Sequence, residues 1–328
     1  MSRDLSGVLV YAEQNAGEIH PVSYELLQKG RQLAEDLGEE LIAIVLGPEG
    51  LEADELVYRG ADRVYCIQGE ELSQPNLITY KDNLKRYIID EIKPEIILLG
   101  ATPFGRSLAP RLAIAVDSGL TADCTDLQID EEDGRLIQIR PAFSENILAH
   151  IKSTSDLQMA TVRYQEFDEA ERDDSLEGEI INAEAERSKD HGLKVLERLA
   201  GKEVNITEED VIVAGGKGLK NPEDFSLLEE LAEKLGGEVG ASRDVVDEDY
   251  IGKEHQVGYS GHRVKPVIYI ACGISGAPQH LAGMKESDTI IAINNDPSAP
   301  IFEHCDYGIV GDLYDVIPEM IDRIEESA

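Results

Sequence analysis

The sequence predicts two α/β domains in tandem, and three observations carry that reading. Short apolar runs alternate with longer amphipathic stretches through residues 8–100 and again from residue 210 onward. Glycines follow several of the runs, where a strand would turn into a helix. Between the two regions, residues 166–190 carry eleven acidic and three basic side chains, with few apolar ones.

In the first region GVLVYAE reads as a strand and PVSYELLQKGRQLAEDLG as an amphipathic helix closed by glycine. LIAIVLG is the next strand, LEADELVYRG a short helix, RVYCI a strand and PNLITYKDNLKRYIIDEIK a long helix. PEIILLGA completes the series. This alternation predicts a doubly wound parallel sheet with helices on both faces. From Leu120 the texture shortens to RLIQIRPAF, NILAHIKS and QMATVRY, read as antiparallel strands capping or extending that sheet. The acidic segment 166–190 reads as a solvated excursion or an interdomain connection.

The alternation resumes with DVIVAGGKG, a strand and glycine turn, and NPEDFSLLEELAEKLGG, a capped amphipathic helix. GEVGASR and VKPVIYIACG are strands, APQHLAGMK starts a helix, TIIAINND and YGIVGD are strands, and DLYDVIPEMIDRIEE closes the chain. The expected domains are residues 1–205 and 206–328.

Composition narrows the function classes. Against 30 basic residues stand 66 acidic ones, a net charge of −36 that repels nucleic acid and anionic membranes. No apolar run reaches the length of a membrane span. MSRDLSGVLVYAEQ lacks the layout of a secretory or organelle signal, so a cytoplasmic protein is expected. Cys66, Cys124, Cys272 and Cys305 are too scattered for a metal or disulfide framework and read as free thiols.

In open α/β sheets ligands sit beyond the carboxyl ends of the strands, and four such ends in the second domain carry unusual chemistry. AGGKG allows close backbone approach and supplies Lys217; GASRD places Ser242 and Arg243 after a strand. CGISGAPQH offers backbone N–H groups, the Ser275 hydroxyl and Pro278 suited to a first helical turn. INNDP sets Asn294 and Asp296 at another strand end. Together they make a pyrophosphate cradle with polar hooks for a ribose or base. None matches GxGxxG or a Walker loop, and glycine turns also serve as packing devices. A lone His280 on a helix is more often a satisfied structural residue, and an arginine after a strand, such as Arg243, is usually half of a surface ion pair.

The stretches GGKGLKNPEDFSLLEELAEKLGGEVGASRDVVD, HQVGYSGHRVKPVIYIACGISGAPQHLAGMK and IIAINNDPSAPIFEHCDYGIVGDLYDVIPEM resemble the alpha (large) subunit of electron transfer flavoprotein. The first half agrees more loosely, through VLVYAEQ with PVSYELL, LLGATPFGRSLAPRLA, GLTADCTDL, RPAFSENILAHI and QMATVR. The resemblance implies a nucleotide-hydrolase-like first domain and a Rossmann-like second domain that holds FAD in extended form. It implies a heterodimer with a beta subunit carrying a second FAD or AMP, and an acyl-CoA dehydrogenase as redox partner.

Carried over residue by residue, the loop Ser275, Gly276, Ala277, Pro278, Gln279 and His280 wraps the FAD. Asn294 and Asp312 with Leu313 lie at its adenosine end, and Lys217 lies near the phosphates. Ser242, Arg243 and the segment Gln256, Val257, Gly258, Tyr259 and Ser260 surround the ribityl chain and the isoalloxazine. A reduced flavin gains negative charge over N1 and O2, which a guanidinium at Arg243 and a donor at His280 would stabilise. The Ser260 hydroxyl is expected at flavin N5.

Tyr259-Ser260-Gly261-His262 stands where mitochondrial-type members read Gln-Thr-Gly-Lys, and Asn295 stands where a lysine is common. Ser153-Thr154-Ser155-Asp156 replaces a Cys-Pro element. The Tyr-Ser pair resembles the electron-bifurcating group of anaerobes, which split electrons from NADH between ferredoxin and an acyl-CoA dehydrogenase. The alternatives are a simple carrier delivering dehydrogenase electrons to a quinone reductase and, from pattern alone, an NAD-type enzyme with His280 as acid–base.

Overall fold

The computed structural model describes residues 5–15, 17–142, 147–186, 205–207 and 209–327. The chain divides into two compact units, Met1–Lys194 and Val195–Ala328. That division falls within residues 187–204, outside the described residues, whereas the sequence reading places the boundary after Asn205.

Unit 1 runs β1 (Val8–Ala12), a hairpin of β2 (Gln14–Asn15) and β3 (Glu18–Ile19), α1 (Val22–Leu37), β4 (Leu41–Gly47), α2 (Asp54–Tyr58) and β5 (Arg63–Gln68). It continues with α3 (Leu77–Arg86), β6 (Ile96–Gly100), α4 (Pro103–Val116), β7 (Gly119–Cys124), β8 (Asp126–Ile129), β9 (Leu136–Ala142), β10 (Ile147–Lys152), β11 (Gln158–Val162) and β12 (Glu179–Glu184). Seven strands form one parallel sheet in the order β12-β5-β4-β1-β6-β11-β7.

The central strands read as continuous apolar runs because both their faces are covered. Alternate residues of β1 serve two cores: Val8, Val10 and Ala12 pack with Leu26, Leu27 and Leu33 of α1. Leu9 and Tyr11 pack with Tyr80 and Leu84 of α3 and Leu108 and Leu112 of α4.

Three readings of unit 1 are corrected. RLIQIRPAF and NILAHIKS do pair antiparallel, as β9 and β10 in a separate three-stranded sheet with β8; Phe143 and Asn146 at their ends lie outside the described residues. QMATVRY, by contrast, supplies β11, which inserts parallel between β6 and β7. All five residues of β11 are buried, and a strand covered on both faces has no polar face to betray its partner. The acidic segment is not only a connection, since it supplies β12, which pairs parallel with β5. As an edge strand β12 leaves residues in solvent, so its sequence tolerates charge. The long helix expected over PNLITYKDNLKRYIIDEIK is α3 followed by a π-helical turn at Tyr87–Ile92.

Unit 2 runs β13 (Val211–Gly215), α5 (Phe225–Leu235), β14 (Glu238–Ala241), α6 (Arg243–Asp247), β15 (Ile268–Cys272), α7 (Pro278–Leu281), β16 (Thr289–Asn294), β17 (Tyr307–Val310) and α8 (Leu313–Ser327). The sheet is parallel in the order β14-β13-β15-β16-β17. Ile270 and Cys272 of β15 face the core formed with α5 and α8, while Tyr269 and Ala271 face the opposite core with Leu281 and Met284. Strand order reverses between β13 and β15, so the crevice beyond these two strands is the topological switch point. Cys66, Cys124 and Cys272 are buried free thiols, and Cys305 is a half-buried one. Among the described residues no helix is long and apolar enough to cross a membrane.

Candidate functional site

At the switch point the loops after β13 and β15 touch backbone to backbone. Gly218 N–H donates to the Gly273 carbonyl at 2.9 Å, and Gly216 N–H donates to the Cys272 carbonyl at 3.0 Å. A Cβ on Gly273 would lie 2.6 Å from Gly218 Cα, and Gly273 also holds φ at 64°. Only glycine serves there, since a side chain would both collide and strain the backbone. Both loops are thereby held open to a cavity of about 690 Å³, within the usual range for small-molecule sites.

The cavity draws on all four strand ends singled out in the sequence and on the segment after them, residues 256–260, but not on the loop at Asp312. Lys217, Ser242, Arg243, Gln256, Val257, Gly258, Tyr259, Ser260, Ser275, Ala277, Gln279, His280 and Asn294 all line it. Gly276, Pro278, Asp312 and Leu313 do not. Gly276 is buried behind the loop, and Asp312 accepts from the Tyr314, Asp315 and Val316 amides at the start of α8. Leu313 belongs to the core with α5 and α8. The helix after GISGAPQH is a single turn, Pro278–Leu281, so the loop contributes its amides and hydroxyl rather than a helix dipole.

The segment 256–261 is held against this loop: Tyr259 N–H donates to the Gln279 carbonyl at 2.7 Å, and Gly258 N–H to the His262 carbonyl at 2.9 Å. Buried Gln256 donates through Nε2 to Ser260 Oγ at 3.0 Å, which sets the hydroxyl, while the Tyr259 ring stands exposed at the rim. Asn294 donates to the Ile274 carbonyl at 2.9 Å and accepts from Asp296 N–H at 2.9 Å.

The cations are both restrained by carboxylates. Arg243 Nε lies 3.0 Å from Asp247 Oδ2, one turn along α6, and Lys217 pairs with Glu248. These pairs are exposed and bind weakly, so each cation remains accessible to an anion entering the cavity.

His280 is the least ordinary residue of the site. It is 6% exposed, and burial pushes its imidazole down to about 4, against weaker opposing pulls from the Val257 carbonyl and Asp244. Nε2 lies 3.0 Å from the Tyr269 hydroxyl, while buried Nδ1 has no hydrogen-bond partner among the described residues.

Asp296 and Asn295, which the sequence reading named at the INNDP strand end, also line the cavity, as do Asp244 and Asp247, which were missing from the expected site. Asp247 was legible as the i+4 partner of Arg243. Tyr269 was hidden inside an apolar strand, and its alternation with Ile268 and Ile270 gave the only signal.

A switch-point cavity with close-packed glycine loops, amides, hydroxyls and two cations defines a binder of a nucleotide-type cofactor. Comparison with known proteins makes this specific. The electron transfer flavoprotein domain matches residues 8–188, and the electron transfer flavoprotein FAD-binding domain matches residues 205–285. The electron transfer flavoprotein subunit alpha of Thermoanaerobacterium thermosaccharolyticum is 46% identical, over 98% of this chain and 99% of its own. That of Megasphaera elsdenii is 44% identical, over 99% and 98%. The Acetobacterium woodii protein named lactate dehydrogenase (NAD(+),ferredoxin) subunit LctC is 42% identical, over 97% of this chain and 77% of its own. The chain belongs to the electron transfer flavoprotein family, as an alpha subunit.

The residues present fit FAD. The glycine cradle admits a close approach to a diphosphate, the donors come from loops after several strands, and an orphaned buried nitrogen belongs to one of the lining residues.

Proposed function

We propose that unit 2 holds one FAD in this cavity, and that the chain pairs with a beta subunit to pass electrons to or from an acyl-CoA dehydrogenase. NADH and ferredoxin are the further partners of a bifurcating complex. The observation that carries the flavin reading is the cavity itself, lined from four strand ends and including His280, whose buried Nδ1 has no hydrogen-bond partner among the described residues. FAD supplies the electron storage. Ser275, Asn294 and Lys217 serve to hold the nucleotide part, and Arg243, His280 and Ser260 to tune the ring by charge and hydrogen bonding. His280 as a general acid–base is disfavoured, because an imidazole held at about 4 is far from the operating pH.

The bifurcating assignment is supported by Tyr259-Ser260 at the cavity rim and by the similarity to a protein whose name carries NAD(+) and ferredoxin. Co-purification with the beta subunit, a flavin count and an NADH titration test it. Two FADs per heterodimer that NADH reduces support bifurcation; one FAD with one AMP supports a simple carrier. A colourless heterodimer that gains no flavin on reconstitution overturns the flavin reading.

A further inference from the structure

The loop after β13, which brings Lys217 and Gly218 to the cavity, is held from two sides. On the cavity side Gly216 and Gly218 donate to the Cys272 and Gly273 carbonyls, and Leu219 packs into the core with α5 and α8. On the far side it meets the first turn of α8. There the Tyr314 hydroxyl donates to Asp224 Oδ2 at 2.5 Å and accepts from the Lys220 N–H at 2.8 Å. The same carboxylate oxygen accepts from the Lys220 and Asn221 amides at 3.1 and 2.9 Å. These donors, the phenol foremost, hold the Asp224 carboxyl below its ordinary range, so it is ionised and the bonds are charge-assisted. Tyr250 adds a second hold. Its hydroxyl donates to the Lys220 carbonyl at 3.4 Å, and its ring lies 5.4 Å from the Lys217 ammonium.

Neither Tyr314 nor Asp224 lines the cavity. What they anchor is the end of Gly215-Gly216-Lys217-Gly218, a stretch with glycine at three of its four positions. Such a stretch has much conformational freedom to lose when a ligand draws it into one shape. Fixing Lys220 from outside removes part of that freedom before any ligand arrives, and a pre-ordered loop binds more tightly than a loose one. The same turn of α8 braces the glycines directly: a Cβ on Gly218 or Gly273 would lie 3.2 or 3.0 Å from Leu313 Cδ2.

We propose that Tyr314, through Asp224 and the Lys220 amide, is a positioning residue that pre-orders the loop after β13 and so sets Lys217 to grip the phosphates of the cofactor. The inference rests on the flavin reading for the identity of the anion, but not for the clamp itself.

Hydrogen exchange in the heterodimer stripped of cofactor tests the clamp. In Tyr314→Phe, which keeps the ring, the Gly218 and Lys220 amides should exchange roughly tenfold faster than in wild type. Unchanged exchange overturns the proposal. FAD binding to the same proteins tests the consequence. Tyr314→Phe should bind FAD roughly fivefold to tenfold more weakly, at an unchanged reduction potential. Lys217→Met should lose a similar factor, and the double variant little more than either single one, because the clamp acts through Lys217. A wild-type affinity in Tyr314→Phe overturns the proposal, as do a shifted potential or losses that multiply in the double variant. Asp224→Ala removes the shared acceptor without altering α8 and should reproduce both effects, so it decides the matter if Tyr314→Phe does not fold. A wild-type heterodimer that takes up no FAD sinks the flavin reading alone, since the exchange rates still decide the clamp.

Discussion

An imidazole held at about 4 in the fold and near its ordinary 6.5 when unfolded makes stability depend on pH. Above pH 6.5 both states are neutral and the full stability is present. As pH falls from 6.5 towards 4, the unfolded chain takes up a proton that folded His280 refuses, and up to ~3 kcal/mol is lost. Urea unfolding at pH 7.5, 6 and 5 should therefore fall more steeply for wild type than for His280→Gln; parallel profiles would refute the assignment. Arg243 gives a redox counterpart. A partly exposed cation worth ~1 kcal/mol to a reduced flavin shifts a one-electron couple by roughly 40 mV. Arg243→Ala should lower the potential by about that amount while FAD remains bound, and an unchanged potential in a reductive titration would count against its tuning role. Both residues were legible as strand-end candidates. Asp247 was legible as the i+4 partner of Arg243, but Tyr269 was not legible as the partner of His280, because a contact between residues eleven apart across a strand-to-helix turn leaves no periodic trace in sequence.

At the scale of elements, the alternation of apolar runs was enough to place nearly every strand that lines the site, since a parallel strand covered on both faces is a short, unbroken apolar run. Strand partners were another matter. QMATV has the composition of any buried strand, and its insertion between β6 and β7 is decided by packing across the sheet. The acidic segment hid β12 because one strand edge and much of its surface face water. The glycine turns were visible as motifs, but their reason is the contact between two of them. Gly273→Ala puts a Cβ 2.6 Å from Gly218 Cα at a left-handed φ of 64°. The expected cost is ~2 kcal/mol or more, together with a lowered flavin content, because the loops after β13 and β15 must part. Calorimetry and the absorbance ratio of the purified variant check both, and a substitution neutral in both would show that the close approach is dispensable.

Across the whole molecule, each unit closes its own pair of cores, and the titrating groups buried in them pull in opposite directions. In unit 1 Glu25 of α1 accepts from the Gln165, Glu166 and Phe167 amides at 2.9, 3.2 and 3.3 Å, clasping the start of the acidic segment. Burial outweighs these three donors and pushes the carboxyl up to about 7. Between pH 4.5 and 7 the unfolded chain has released this proton while folded Glu25 retains it, so unit 1 loses stability as pH rises, by up to ~3 kcal/mol. Half-buried Glu95 shifts the same way. Unit 2 has the opposite slope over nearly the same window, from His280, with His262 lowered by burial in the same sense. The carboxylates held low by partners, such as Asp123 and Asp224, add their dependence only below about pH 4 and leave this window clear. Unfolding of the full chain, followed by far-UV circular dichroism and flavin fluorescence together, should then show two transitions whose spacing changes between pH 5 and 7.5. Glu25→Gln should flatten the pH dependence of the transition that does not release flavin and leave the flavin-releasing one in place. A single cooperative transition, or one whose pH profile ignores Glu25→Gln, would mean that the buried carboxyl and imidazole do not set the stability of separate units.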